Sequence, residues 1–450
     1  MISWNTKLAY GVGALGSNII YGFVVTYLAV YYTDVAGIAA GTAAILFLVV
    51  RSIDALLDPV MGLIVDRTKT RWGRFRPYLL VVPPILTITT VLAFSLPVQQ
   101  GALTLGLAYL TYLLWSLSYT ATDVPYWSMS AVLTMDARDR TSLVMVPRTL
   151  ASVGAIGVNI ITLPLVVLFA SLFAAGQVTA GWQTVALLYG VVALALIWVT
   201  FFRVREPAIV PGARAATHYG LPQMLRLFAS NRPLQLLLVT MLFTEAALTL
   251  RSVVPVYYMT YNFGSAALVP AFLGIFAITA VIGSLLSPLL ARLWGKRRAA
   301  FVGIALTAVT SVGAWLTGYS DLAPILAWIG VAGLGFGVTN IALVSMLSDT
   351  VEFGQWRTGR RTEGLIFSSN IFKSKVASAL GTSAALALLA VFGYVAGVPQ
   401  NTATQDGIHL TVTLVPGIIG ALGAIPLIWY RLDEKRHGEI VAELETRETV

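Results

Sequence analysis

The chain has 450 residues, of which 57% are hydrophobic and only 11% are charged, and its mean hydropathy is +0.81. A soluble protein carries about a quarter of charged residues, so this composition excludes a soluble globular protein and indicates many membrane spans. Cysteine is absent and no histidine is expected in the middle of a span, so we expect no metal site and no cofactor. The net charge of +9 lies in short connections, where membrane orientation explains it without a nucleic-acid partner.

Twelve apolar segments, each near the ~20 residues that cross a bilayer, are predicted to be transmembrane helices. They span approximately residues 8–33, 41–65, 77–97, 103–131, 142–172, 181–203, 233–259, 267–292, 299–318, 322–347, 363–394 and 409–431. Connections after the even-numbered segments are rich in Lys and Arg, whereas those after the odd-numbered segments contain none. This bias predicts that the even connections and both termini are cytoplasmic. We see no cleavable signal peptide, and we expect a multi-pass protein of the cell (inner) membrane.

The longest connection, 204–232, divides the segments into six and six. We predict an N-terminal six-helix bundle at 1–203, a cytoplasmic central loop at 204–232, a second bundle at 233–432 and a cytoplasmic tail at 433–450. The predicted fold class is therefore an all-α membrane protein with twelve transmembrane helices in two six-helix halves.

A short motif supports a duplication of the six-helix unit. Trp-Gly-Arg at 72–74 follows the second segment, and Trp-Gly-Lys at 294–296 follows the eighth. In many secondary transporters two such repeats hold the site between them near the bilayer midplane. A repeat of only three residues could also be a coincidence, although the equal number of helices in the two halves favours the duplication.

Polar residues in the first two segments are candidates for a site. Asn18 in the first segment could line a cavity or pack helices closely, and packing is the commoner role. Arg51, Asp54 and Asp58 in the second segment return to nearly one helix face, because a helix advances ~100° per residue. The two acids lie one turn apart and could share a cation or a proton. The alternative is a structural salt bridge with a neighbouring helix.

The loop after the second segment resembles the signature of the major facilitator superfamily. Gly62, Asp66, Arg67, Gly73 and Arg74 fill that pattern loosely. Such a basic loop could form interhelical bonds that differ between conformations, and we predict that Asp66, Arg67, Gly73 and Arg74 form a conformational latch. The alternative is that the loop only orients the protein in the membrane.

The fourth segment carries a carboxylate between aromatic side chains. Tyr119, Asp123 and Trp127 recur every four residues and share one face. An acid that accepts bonds from two hydroxyls and a flat ring that packs on an apolar face are what a sugar requires. Aromatic stripes alone are more often core or interface belt. Arg148 opens the fifth segment and could either hold Asp123 or be a cytoplasmic-end charge that snorkels.

Four further charged side chains lie deep in the second half. Lys373 and Lys375 in the eleventh segment point to opposite sides, so only one is expected to reach a cavity. Glu245 in the seventh segment needs a partner, for which Arg51 and Lys375 are candidates. Arg251 lies six residues after Glu245 on another face, and the sequence assigns it no role.

Motifs along nearly the whole chain resemble those of the glycoside–pentoside–hexuronide:cation symporters, which include the melibiose permeases. They are Tyr31-Tyr32-Thr33-Asp34, Asp54-x-x-x-Asp58-Pro59-x-x-Gly62, Arg71-Trp72-Gly73-x-x-x-Pro77, Asp123-x-Pro125-x-Trp127-Ser128, Pro147-Arg148 and Asp349-x-x-x-x-Gly354. The resemblance implies that Asp54 and Asp58 serve the coupling cation, with Thr120 nearby. It implies sugar-binding roles for the residues that match the family's cavity, which are Tyr119, Asp123, Trp127 and Arg148. Lys375 would balance the acidic pair.

Three departures from the melibiose permeases shape the prediction. Asn18 replaces an acid, Leu57 replaces an amide between the two acids, and Asn340 replaces a tryptophan in the cavity. Asn18 argues against galactoside recognition, and Asn340 indicates a reshaped outer cavity that it helps to line. Leu57 offers no oxygen ligand, so we predict proton coupling in preference to sodium coupling.

The sequence therefore predicts a cation-coupled symporter of a sugar, glycoside, pentoside or uronide that works by alternating access. Its expected partners are that substrate, a monovalent cation or proton, and the lipid bilayer, and we expect a monomer. One alternative is a transporter of a lysolipid-like amphiphile in the same superfamily. A membrane-embedded enzyme is a remote alternative, because the segments contain no His, Cys or paired nucleophile constellation.

Overall fold

The structure, a computed structural model, describes residues 3–68, 70–98, 101–133, 137–172, 177–206, 228–359 and 363–448. The described residues form helices joined by short connections. The helices are α1 (Trp4–Val30), α2 (Ala40–Arg67), α3 (Arg76–Ala93), α4 (Ala102–Leu133), α5 (Ala137–Leu172), α6 (Val178–Arg203), α7 (Arg232–Tyr261), α8 (Val269–Trp294), α9 (Lys296–Leu316), α10 (Leu322–Thr358), α11 (Glu363–Val391), α12 (Thr402–Val412), α13 (Leu414–Ile428) and α14 (Glu434–Glu448). A π-helical turn, Tyr31–Val35, continues α1.

The described part of the chain contains twelve spans that are long and apolar enough to cross a membrane, which confirms the predicted number. The twelfth span consists of α12 and α13, which meet at Thr413. Helix α10 runs to Thr358, well beyond the predicted end at 347, because hydropathy marks where a helix leaves the apolar layer and not where it ends. Helix α5 begins at Ala137, so Arg148 lies about three turns inside it, and the prediction that Arg148 opens this helix is wrong.

The chain divides into two compact units. Unit one contains residues 1–213 with the short segments 265–270 and 389–400, and unit two contains 214–264, 271–388 and 401–450. The division at 213 falls inside the predicted central loop, of which residues 207–227 lie outside the described residues. The two short segments were predicted to belong to the second bundle. Within unit one, the hydroxyl of Tyr394 donates to Asp34 Oδ1 at 2.6 Å, which ties one of these segments to the end of α1.

Within the predicted tail, 433–450, the residues Glu434–Glu448 form helix α14, which belongs to unit two. Ile440 is fully buried on one face of α14, in a cluster that Leu444 also joins. On α10, the indole Nε1 of Trp356 donates to Glu443 Oε2 at 2.6 Å, and the guanidinium of Arg436 lies 5.2 Å from the Trp356 ring. These apolar and aromatic contacts explain why residues expected to be a simple tail form an ordered helix.

Close packing of α1 against its neighbours organises unit one. Tyr10 and Tyr126 stack with ring centroids 4.6 Å apart, and each hydroxyl donates to the backbone carbonyl of the other residue. At Gly16 a Cβ would come within 2.9 Å of the Ala193 carbonyl on α6, so only glycine permits this approach. Small residues in α1 therefore serve helix packing, as in other membrane bundles.

A carboxylate that follows α6 caps the N-terminus of α3. Both oxygens of Glu206 accept backbone N–H bonds, from Arg74, Phe75 and Arg76, each at 2.7 Å. The first amides of a helix have no internal partner, and its N-terminus favours negative charge. Gly73 adopts φ +107°, and a Cβ there would lie 2.5 Å from Glu206 Oε2, so the turn requires glycine.

Unit two repeats this arrangement at the equivalent place. Glu434, which follows α13, accepts a bond from the backbone N–H of Lys296 at the start of α9. Gly295 precedes it with φ +85°, and a Cβ there would lie 3.0 Å from Glu434 Oε2. The Trp-Gly-Arg and Trp-Gly-Lys motifs therefore occupy matching turns, which supports the duplication of a six-helix unit.

We expect Glu206→Ala to loosen the start of α3, because it removes three charge-assisted hydrogen bonds at once. Exchange of the backbone amides at 74–76 with deuterium should speed up about 30-fold, corresponding to ~2 kcal/mol of local stability. Arg205→Ala, next to it and exposed, is the matched control and should leave exchange unchanged. Unaltered exchange in Glu206→Ala would show that water replaces the carboxylate without loss.

Candidate transport site

Two predicted cation-site residues meet in the core of unit one. Asp54 on α2 is only 2% exposed, and Asp54 Oδ1 accepts a bond from Thr120 Oγ1 on α4 at 2.8 Å. Thr120 is itself buried. Asp58 lies one turn further along α2 and is half-buried, so it is the more accessible of the two acids. The structure thus places one acid in a closed hydrogen-bonded position and the other beside it in a more open one.

Arg51 lies one turn before Asp54 and is surrounded by aromatic rings. Its guanidinium carbon is 5.7 Å from the rings of Tyr21 and Tyr112 and 5.8 Å from that of Trp115. It is 3% exposed and is attracted electrostatically by Asp54. Aromatic faces stabilise a desolvated cation, and the nearby carboxylate offsets its charge. Arg51 therefore lies where it can offset the charge of Asp54 within unit one, and its charge-balancing role stays a prediction.

The predicted sugar residues form one hydrogen-bonded cluster on α4. Asp123 Oδ1 accepts bonds from the hydroxyl of Tyr119 at 3.3 Å and from Nε1 of Trp127 at 3.1 Å. These two bonds orient the carboxylate, which can accept about four in all. Pro125 lies inside the cluster and has no N–H, which leaves the carbonyl of Ala121 without its helical partner.

The aromatic residues around the two clusters form a continuous stack. Tyr119 stacks with Tyr21 of α1 at a centroid distance of 5.0 Å and with Trp115 at 5.4 Å. Trp115 in turn stacks with Tyr112 at 5.8 Å. Sequence reasoning missed Tyr112 and Trp115 as neighbours of the site. Tyr112 precedes Trp115 by three residues, and Trp115 precedes Tyr119 by four. This helical spacing could have extended the predicted aromatic stripe from Tyr119 toward Arg51.

Two other predicted substrate residues of unit one stand apart from this cluster. The side-chain amide of Asn18 donates to the carbonyl of Ala14 on its own helix at 3.0 Å. Arg148 is exposed within α5, and among the described residues no acid forms an ion pair with it. The structure therefore does not bear out the option in which Arg148 holds Asp123.

In unit two, Glu245 has a partner that differs from both candidates. Glu245 Oε2 forms an ion pair with Nζ of Lys373 and accepts a bond from Ser374 Oγ at 3.0 Å. The prediction of Arg51 or Lys375 as this partner is wrong, because α11 turns Lys373 toward α7. Lys375 is half-buried on α11, and Asn340 is exposed on α10.

Of the predicted latch residues, Gly73 and Arg74 lie in the turn before α3, whereas Asp66 and Arg67 lie at the end of α2. The backbone of Arg74 is bound by Glu206, and Gly73 provides the left-handed conformation of the turn. Arg67 is exposed at the end of α2, and the Asp66 side chain lies outside the described residues. These contacts fall within unit one, and the latch stays a prediction.

The comparisons with known proteins identify the family. The model of the MFS/sugar transport protein family matches residues 9–434. The chain belongs to this family. This transporter is 32% identical over 449 residues to the uncharacterized symporter YnaJ of Bacillus subtilis (strain 168), with 100% of this chain and 96% of that protein covered. It is 29% identical to the isoprimeverose transporter of Lactiplantibacillus pentosus, with 99% and 92% covered.

Solved structures agree on the fold of this transporter. The crystal structure of a bacterial homologue of the human lysosomal transporter Spinster matches with a TM-score of 0.72 at 13% identity, covering 96% of this chain and 100% of that one. The family model and the curated relatives show that the chain is a multi-pass membrane transporter and not an enzyme, and they confirm its resemblance to the glycoside–pentoside–hexuronide symporters.

Proposed function

We propose that this transporter carries a sugar or glycoside across the membrane together with a cation, by alternating exposure of its site to the two sides. The observation that carries the proposal is the double role of α4. Thr120 on this helix bonds the acid of the cation cluster, and Tyr119, the residue before it, bonds the acid of the sugar cluster. The names of the two relatives, a symporter and an isoprimeverose transporter, support the same class.

Sharing a helix gives the two ligands a physical means of coupling. A cation bound by the α2 acids offsets their mutual repulsion and favours the position of α4 in which Thr120 meets Asp54. The same position fixes Tyr119 and therefore orients Asp123 for sugar. Two ligands that bias one conformational equilibrium raise each other's affinity by the same factor.

We place the transporter in the cell (inner) membrane as a monomer, with both termini and the even-numbered connections in the cytoplasm. Support comes from the connections between the spans, of which only alternate ones contain Lys or Arg. The turns that precede α3 and α9, each basic and each capped by a carboxylate, lie on the same side in this arrangement.

Thermal unfolding of purified protein with a panel of ligands tests the substrate class, because a ligand that binds the native state must stabilise it. We expect at least one glycoside, pentoside or uronide to raise the melting temperature, and to do so more strongly when the coupling cation is present. Stabilisation by a lysolipid, with none from any sugar, would overturn the proposal in favour of the amphiphile alternative.

We propose the proton as the coupling ion. Sodium needs several oxygen ligands that converge, and Asp54, Asp58 and Thr120 are the candidates in this region. Leu57 lies between the acids and has no polar atom to add. A proton needs only one carboxylate that can take it up and release it, which the half-buried Asp58 can supply.

Uptake into cells or proteoliposomes should therefore follow an imposed pH gradient and respond little to sodium or lithium. Leu57→Asn should raise the sodium response, because it adds a carbonyl oxygen between the two acids. Leu56→Asn, at a position that is 69% exposed, is the matched control and should leave ion preference unchanged. Strong stimulation of the wild type by sodium at fixed pH and membrane potential would contradict proton coupling.

A further inference from the structure

A second buried arginine lies in unit two, away from the clusters described above. Arg251 sits inside α7 and is 4% exposed. One of its terminal nitrogens, Nη2, donates to Ser311 Oγ on α9. Among the described residues, no group hydrogen-bonds to its other two nitrogens, Nε and Nη1, both of which are buried. A guanidinium has five N–H donors, so most of its donor capacity is unused.

The positive charge of Arg251 is also not compensated by an ion pair with any described residue. No acidic side chain in the described part of unit two forms an ion pair with it, and Glu245, the acid on the same helix, is held by Lys373 and Ser374. The ring of Phe276, 5.9 Å from the guanidinium, offers only weak compensation. An arginine remains ionised in proteins, and an unbalanced charge inside a membrane span is costly.

Arg251 lines a small cavity between the helices of unit two. The cavity measures about 30 Å³, and its lining includes Arg251, Thr244, Phe276, Thr307, Phe336 and Thr339. A site for one water-sized species needs roughly 10–15 Å³ on this measure, whereas pockets for organic ligands run to about 300 Å³ or more. The cavity therefore suits one or two water-sized species and excludes a sugar.

The hydroxyls that line the cavity define the ligand further. Thr244, Thr307 and Thr339 donate their hydroxyl protons to carbonyls of their own helices, at 3.1, 2.9 and 2.9 Å. The guanidinium is thus the principal source of donors. A ligand at this place must accept hydrogen bonds, carry negative charge and be close to water in size.

We propose that Arg251 binds a small monovalent inorganic anion, of which chloride is the physiological example. The anion accepts bonds from Nε and Nη1 and neutralises the guanidinium inside unit two. This site uses none of the residues assigned to the sugar or the cation, so it stands independently of the proposed function.

Thermal unfolding of purified protein in sodium gluconate, sodium chloride and sodium bromide at equal ionic strength tests the site. Chloride and bromide should raise the melting temperature of the wild type saturably, by roughly 2 °C or more relative to gluconate. Arg251→Met removes the charge and keeps the length, and should abolish this difference. Arg292→Met, which removes an exposed arginine of α8, should retain it.

Equal melting temperatures in the three salts would overturn the proposal, as would a chloride effect that persists in Arg251→Met. Crystals of the wild type grown in bromide provide a second measurement that does not depend on any variant. An anomalous peak beside the Arg251 guanidinium is expected, and its absence in well-ordered density would also overturn the proposal.

Discussion

Asp58→Asn is expected to abolish cation-driven accumulation of substrate while leaving membrane insertion and folding intact. The substitution keeps the shape of the side chain and removes a half-buried charge from a membrane-spanning helix, where ionised groups usually serve transport. An imposed gradient should then give no accumulation above the external concentration, although exchange of substrate at equilibrium persists. The measurement is the accumulation ratio in proteoliposomes with an inward proton gradient.

Asp54→Asn should also abolish cation-driven accumulation. The bond between Asp54 and Thr120 offers a further variant with a smaller expected effect. Thr120→Val removes the hydroxyl that donates to Asp54 Oδ1 and preserves the volume. It should weaken coupling without abolishing it, because the charge of Asp54 remains. Glu439→Gln, at an exposed position of α14, controls for loss of charge in general. Normal accumulation of substrate by Asp58→Asn would contradict the assignment of the cation site.

Asp123→Asn should weaken sugar binding about 30-fold, or ~2 kcal/mol. A carboxylate oxygen accepts stronger hydrogen bonds from hydroxyls than an amide oxygen does, so removing the charge weakens the bonds to the sugar. Tyr119 and Trp127 both donate to Oδ1, so the carbonyl oxygen of the asparagine can keep these two bonds, while its NH2 group replaces the acceptor Oδ2. Affinity measured by calorimetry or by ligand-induced thermal shift gives the ratio directly.

Trp127→Phe tests how much the orientation of Asp123 matters, separately from the ability of Asp123 to accept hydrogen bonds from the sugar. It keeps an aromatic face for the sugar and deletes the Nε1–H that bonds Asp123 Oδ1. We expect a smaller loss of affinity, about 5-fold, because one neutral hydrogen bond is worth ~1 kcal/mol. If Asp123→Asn and the wild type bind sugar equally well, Asp123 has only a structural role.

The twelve spans were predictable from the sequence because each is a long run of apolar residues. Hydropathy failed where a helix continues into a polar environment. Helix α10 passes Asp349 and Glu352 without interruption, and α14 is stabilised by Trp356 and the burial of Ile440, which no local pattern reveals.

The clusters on α4 were predictable in part, because residues four apart on one helix are neighbours whatever surrounds them. Tyr119, Asp123 and Trp127 obey that rule. The partner of Glu245 was not predictable, because Lys373 and Lys375 differ only in the direction in which they leave α11. That direction depends on how the helix is rotated in its bundle, and the sequence spacing contains no information on it.

The carboxylate caps were missed for a related reason. Glu206 lies 130 residues from Arg76 in sequence, in a coil with no periodic pattern. The glycine at 73 was noted as part of a loop signature, but the need for it comes from the carboxylate that would collide with a Cβ.

The paired caps bear on how the protein is made. The carboxylate that closes the turn before α3 follows α6, so all of these contacts are available once residue 206 has left the ribosome. Domains generally fold as units, with the N-terminal one first during synthesis. The first six helices can therefore assemble in the bilayer before α7 is inserted, and the second six wait for Glu434, which emerges only near the end of translation.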